Sequence, residues 1–193
     1  MKGIFLDTET NGLNFRQHRL IELAYKIVDL NSGECLSQFS SLRKITHDEW
    51  KQSDPESLDV NGFTWEDVTH GISADEIAKE VILDFKAQGI KRGSSVFICQ
   101  NPSFDRVFFS SIIDVDVQEQ NGWPYHWLDM ASMFWALQLQ KGEHLPWKTG
   151  FTKDKIAKFL GLGSEEHPHR AMNGVDHLLE IYRVAVGFPE CTK

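Results

Sequence analysis

Apolar and polar positions divide the chain into short blocks, most of which read as strands or helices. Residues 3–7 form an apolar run that stops at a pair of acids, the pattern of a buried strand. "RLIELAYKIVDL" (19–30) and "GECLSQFSSL" (33–42) predict two strands joined by a turn at "NSG". Residues 43–72 show no period and are expected to be irregular, with "DVNGFTWEDV" as a loop and turn around Asn61-Gly62. In "SADEIAKEVILDFKAQG", Ser73 and Glu76 make a capping box and Ile77, Val81 and Phe85 recur every four residues. This predicts an amphipathic helix ending near Gly89. "SSVFICQ" is a short apolar strand, and "NPSFDRVFFSSII" a helix with Pro102 at its first position. "YHWLDM" reads as a short strand leading into the helix "ASMFWALQL". Thr152 caps "KDKIAKFLG", which stops at Gly161. The last helix puts Val175, Leu178, Leu179, Tyr182 and Val186 on one face and ends at Gly187-Phe188-Pro189.

A strand meander followed by alternating helices and strands predicts the α/β class, a mixed sheet with helices packed on it. The 193 residues suit one domain, and 41% hydrophobic residues support a full core. No apolar run approaches a membrane span, and only "IFL" follows Met1-Lys2-Gly3, so no secretory segment is expected. Cys35, Cys99 and Cys191 are scattered, odd in number and without metal-ligand spacing. They predict reduced thiols in a cytoplasmic protein.

The candidate chemistry begins with Asp7 and Glu9. On a strand, residues i and i+2 point to the same face, so these two negative charges stand side by side. That is costly unless something positive joins them, and a divalent metal is the obvious candidate. Asp105 lies in the first turns of a helix just after a buried strand. His167, His169, Asp176 and His177 gather at the mouth of the final helix. Taken singly, each has a plain structural explanation: acids favour helix N-termini, Asn173 reads as a helix cap, and a lone histidine is more often a hydrogen-bonded structural residue.

Together they weigh differently. "FLDTETNGL" with Asp7 and Glu9, "NPSFD" with Asp105, and "HRA" followed by Asp176 resemble, in order, the three motifs of the DEDD 3′–5′ exonucleases, in the branch that uses histidine. The resemblance implies a ribonuclease H-like mixed five-stranded sheet flanked by helices. It would be a single exonuclease domain over residues 1–193, with its core at about 3–187. It further implies release of nucleoside 5′-monophosphates from the 3′ ends of single-stranded DNA or RNA, or of short oligonucleotides. Two divalent ions, Mg²⁺ or Mn²⁺, would be held by Asp7, Glu9, Asp105 and Asp176, with His169 as general base. Leu13, Thr10, Asn101 and Phe104 are expected to bind substrate, with Phe108 an alternative to Phe104. As plain readings, Asn101 is a helix cap and both phenylalanines are core.

One departure stands out. The family places its last acid five residues after the histidine, and here that position holds Gly174. Asp176, seven residues after His169, takes the role if the helix starts at Asn173 and two extra residues loop out.

A net charge of −8 is unlike a protein that coats phosphates with Lys and Arg, so bound cations are expected to handle part of the phosphate charge. The local exception, "PWKTGFTKDKIAK" with Lys148, Lys153, Lys155 and Lys158 and nearby Arg170, reads as a solvated helix face ahead of a phosphate-facing patch. Two competing functions stay open: a non-catalytic nucleic-acid-binding or scaffold domain, and a phosphoesterase acting on dinucleotides and other small nucleotides. DNA versus RNA, homodimerisation and a polymerase partner are also open. Only "PECTK" follows Gly187-Phe188, which speaks against a polymerase tether.

Overall fold

The computed structural model describes residues 1–142 and 144–191. Its strands are β1 (Lys2–Thr10), β2 (Leu20–Asp29), β3 (Cys35–Leu42), β4 (Ser95–Cys99) and β5 (Trp127–Asp129), in the order β3-β2-β1-β4-β5. β1, β2 and β3 pair antiparallel, whereas β4 lies parallel to β1 and β5 parallel to β4. The helices are α1 (His47–Trp50), α2 (Pro55–Asn61), α3 (Trp65–Thr69), α4 (Ala74–Ala87), α5 (Pro102–Ser110), α6 (Val115–Gln120), α7 (Met130–Lys141), α8 (Pro146–Thr149), α9 (Lys153–Phe159) and α10 (Ala171–Ala185). Antiparallel neighbours close with short turns, while parallel ones need crossovers, so helices come between β3, β4 and β5. This is the mixed sheet flanked by helices that the block pattern predicts, with the five strands that the resemblance implies.

Alternation along β1 sorts the core into two layers. Ile4 and Leu6 join Leu23, Tyr25, Phe97, Phe108 and the Ile77, Val81, Phe85 stripe of α4 on one face. Phe5 joins Ala24, Val28 and Ile98 on the other, beneath α7, α9 and α10. Asp7 and Glu9 share the parity of Phe5, so they point toward the α10 side.

Three expectations change. Residues 43–72 are not irregular: they hold α1, α2 and α3. Thr46–Glu49 and Thr64–Asp67 are capping boxes, and Asp54 caps α2. Helices of four to seven residues are too short to show a 3.6-residue period. They cover a small cluster of Ile21, Ile45, Phe63 and Val68. β1 does not end at residue 7 but runs on to Thr10, because β2 continues to pair with it, Asp7 opposite Ala24 and Glu9 opposite Glu22. Finally, α10 starts at Ala171 and not at Asn173. Its backbone stays helical through Asn173-Gly174, with the Gly174 N–H donating to the Arg170 carbonyl at 3.0 Å.

β4 pairs with β1 only along Lys2–Phe5. From Leu6 to Thr10, β1 has no strand on that side, and a cleft opens beyond the end of β4. Crevices outside the carboxyl ends of parallel strands are where open α/β sheets bind ligands. Cys35 and Cys99 are free thiols; the Cys191 side chain, Thr192 and Lys193 lie outside the described residues. Among the described residues no helix is long and apolar enough to cross a membrane.

Candidate active site

The cleft beyond β4 holds a cavity of about 330 Å³ lined by Asp7, Glu9, Asp105 and His169, together with Lys153 and Glu165. Asp7 and Glu9 arrive from β1. Asp105 arrives from the first turn of α5, and the Thr8 hydroxyl donates to its Oδ1 at 2.9 Å, tying the helix to the strand. His169 lies just before Arg170, the cap residue of α10. Its backbone N–H donates to the Val60 carbonyl at 3.1 Å, and the first N–H of α10, that of Ala171, donates to Glu22 Oε2 at 2.7 Å. Between them the Arg170 guanidinium donates to the Asn61 carbonyl and lies 3.9 Å from the centre of the Phe63 ring. The histidine is thus held from α2 on one side and from the sheet on the other. Its Nε2 is buried without a hydrogen-bond partner.

Asp176 is not brought to this cavity. It lies on another face of α10, its side chain 52% exposed and bonded to the Lys26 ammonium of β2. The position that faces Asp7 is Gly174, where a β-carbon would come within 2.0 Å of Asp7 Oδ2 and 2.9 Å of Lys153 Nζ. Because the helix is unbroken, the letters shift by two while the face does not follow. His177 is a structural residue whose Nε2 meets the Gly163 carbonyl at 3.0 Å, and the His167 ring packs on that of His169 with centroids 4.5 Å apart.

Two groups in the cavity were not singled out from the sequence. Lys153 was grouped with a solvated lysine face, and Lys148, Lys155 and Lys158 are indeed exposed. Lys153 instead turns inward: its Nζ is 2.8 Å from Glu165 Oε2 and 3.6 Å from Asp7 Oδ1. The Glu165 side chain is only 3% exposed and stands 4.0 Å from His169 Nδ1. The available signal was an acid within "SEEHPHR", four residues before the histidine.

The electrostatics follow from these placements. Burial pushes the Asp7 carboxyl up to about 6, with Lys153 pulling it back. Burial and then the Asp7 charge push Glu9 up to about 8. Asp105 rises to about 8 for the same two reasons. Burial alone would lower the Lys153 ammonium, but Asp7 and Glu165 outweigh it and hold it above its usual value. One ammonium facing several buried carboxylates leaves the cavity short of positive charge.

That shortage, and the all-oxygen donor set, fit a hard divalent cation on Asp7, Glu9 and Asp105. At the position that the resemblance gives to the last acid stands Gly174, with Lys153 beside it, and the fourth carboxylate of the cavity, Glu165, is held by Lys153. Among the described residues no three His, Cys, Asp or Glu side chains are already gathered around one point, since Asp7 turns to Lys153 and Asp105 to Thr8.

A second cavity, about 270 Å³, adjoins the first and shares Thr8, Glu9 and Phe104 with it. Thr10, Leu13, Asp54, Glu56, Ser57, Val60 and Asn61 complete its walls. Leu13 is 73% exposed, and the Thr10 hydroxyl donates to the Gly12 carbonyl at 2.9 Å. Phe104 is half-buried and open to both cavities. Phe108, the alternative, is buried in the core. Asn101 occupies the cap position of α5 but makes no capping bond; its Oδ1 accepts from the Ser103 hydroxyl at 2.6 Å.

No family model matches the chain, and neither does any curated protein. Solved structures match it in fold. The zinc-bound form of E. coli exonuclease I in complex with single-stranded DNA superposes with a TM-score of 0.74 at 16% identity, over 95% of this chain and 40% of that one. Cell-death related nuclease 4 (CRN-4) gives 0.75 at 14%, over 94% of this chain and 62% of the other. A 3′-exonuclease that recognises the histone mRNA stem-loop gives 0.71 at 14%, over 97% and 65%. The chain spans between 40% and 65% of the length of these nucleases. Its own architecture is the ribonuclease H-like fold that these nucleases share.

Proposed function

We propose that the chain is a metal-dependent 3′–5′ exonuclease domain, with its core at residues 3–187, that removes nucleoside 5′-monophosphates from single-stranded DNA or RNA. The observation that carries this reading is the convergence of Asp7, Glu9, Asp105 and His169 on one cavity, with a second cavity beside it that presents Leu13 and Phe104. The neighbouring fold in E. coli exonuclease I binds single-stranded DNA, and that of the 3′-exonuclease binds stem-loop RNA. Free thiols at Cys35 and Cys99 suit a cytoplasmic setting.

In this reading, Leu13 and Phe104 flank the terminal base and bring the last phosphodiester over Asp7 and Glu9. A bound Mg²⁺ or Mn²⁺ supplies positive charge at that phosphate. The unpartnered Nε2 of His169 takes the proton of the attacking water. The water oxygen bonds to phosphorus, the bond to the 3′ oxygen of the preceding nucleotide breaks, and that oxygen takes a proton from solvent to leave the shortened strand with a 3′ hydroxyl. Asp7, Glu9 and Asp105 would hold such an ion.

The test uses 5′-labelled single strands of DNA and RNA of matched sequence, with Mg²⁺, Mn²⁺ or EDTA, comparing the wild type with Asp7→Ala. Metal-dependent laddering from the 3′ end that vanishes in the variant is expected. Strands left whole under every condition would make the scaffold reading the better one.

A further inference from the structure

Gly174 and Lys153 fit together. In the unbroken helix α10, residue 174 points at Asp7, and any side chain there would collide with the Asp7 carboxylate and crowd the Lys153 ammonium. The room left by the missing side chain is where that ammonium sits. Lys153 Nζ is 2.8 Å from Glu165 Oε2, 3.4 Å from the Gly174 carbonyl and 3.6 Å from Asp7 Oδ1, with its side chain 13% exposed. Three oxygens from β1, α10 and the segment before α10 therefore converge on one positive charge.

The placement runs against local preference. Lys153 is the first residue of α9, where the exposed N–H groups and the helix dipole disfavour a cation. Lys155 and Lys158 of the same helix stay exposed to solvent. Lys153 turns in because the buried carboxylates of Asp7 and Glu165 repay the loss of water.

We propose that the Lys153 ammonium is a built-in cation that replaces one of the two divalent ions of a four-acid site, so that the cavity takes one divalent ion per chain. Three features of the cavity belong together: the glycine in place of an acid, the lysine in the freed space, and Glu165 as the counter-charge on its far side. The inference rests on the reading of Asp7, Glu9 and Asp105 as ion ligands, but not on turnover.

The experiment is a Mn²⁺ titration of the full chain, with free Mn²⁺ followed by its paramagnetic resonance signal. The wild type is expected to bind one ion. The double variant Lys153→Met/Gly174→Asp, which removes the ammonium and restores the acid, is expected to bind two. If circular dichroism shows that the double variant does not fold, Lys153→Met alone is read, and it too is expected to bind two, the second between Asp7 and Glu165. A wild-type stoichiometry of two or of none overturns the proposal, as does a folded variant that still binds one. Because binding is read without substrate, absence of exonuclease activity with these stoichiometries would sink the functional reading and leave this one standing.

Discussion

Glu22 of β2 accepts a hydrogen bond from the Ala171 N–H at 2.7 Å, so α10 is capped by the sheet and not by its own cap residue, Arg170, whose side chain makes no such bond. The contact fixes the end of the helix next to His169. Glu22→Ala leaves a buried N–H without its acceptor and should cost about 1–3 kcal/mol in urea unfolding. Glu22→Gln keeps an acceptor and should recover most of that loss. Equal stability of wild type and Glu22→Ala would show that the cap does not hold the helix.

His169→Ala tests the proton acceptor. A general base contributes about 10²–10⁴-fold, so kcat should fall by that factor while affinity for a single strand in Ca²⁺ stays within about two-fold. A parallel loss of binding would move His169 from the chemistry to strand contact.

Leu13 and Phe104 make a different prediction. Stacking of a base on an aromatic ring is worth about 1–3 kcal/mol, so Phe104→Ala should raise KM about ten-fold or more, and Leu13→Ala should raise it by less. Leu13 is exposed, so its variant should melt at the wild-type temperature. An unchanged KM in both would place the strand elsewhere.

The α4 capping box gives a pH-dependent expectation. The Ser73 hydroxyl and backbone hold the Glu76 carboxyl below its ordinary 4.5. A depressed acid stabilises the fold above its unfolded value and loses that contribution as pH falls through the folded one. Ser73→Ala should lower Tm by about 2–4 °C at pH 7. The gap should narrow as pH falls below 4.5, as melting curves at successively lower pH would show.

Why some of this could be read from the sequence and some could not has a physical explanation. Ile77, Val81 and Phe85 announce α4 because burial and helical period coincide. Asp7 and Glu9 announce themselves because a strand repeats every two residues. Asp176 misleads for the complementary reason: moving two positions along a helix turns a side chain by about 200°, so matching letters do not mean a matching face. α1, α2 and α3 are too short to carry a period. Lys153 and Glu165 are separated by eleven residues of chain, and only the packing of α9 against α10 shows that they share a charge with Asp7.

β1 outruns β4 by the five residues Leu6–Thr10, which makes a ledge roughly 16 Å long at about 3.3 Å per residue. One strand is its floor, and α5 and α10, both packed on β1, are its banks. The spacing of those banks is set where β4 gives way to α5, a passage of only Gln100 and Asn101. Lengthening that passage by a residue would leave the rungs of the sheet in place but would strain the Thr8–Asp105 bond and the seating of Phe108 and Phe109. The breadth of the channel is therefore coupled to the stability of the core through α5.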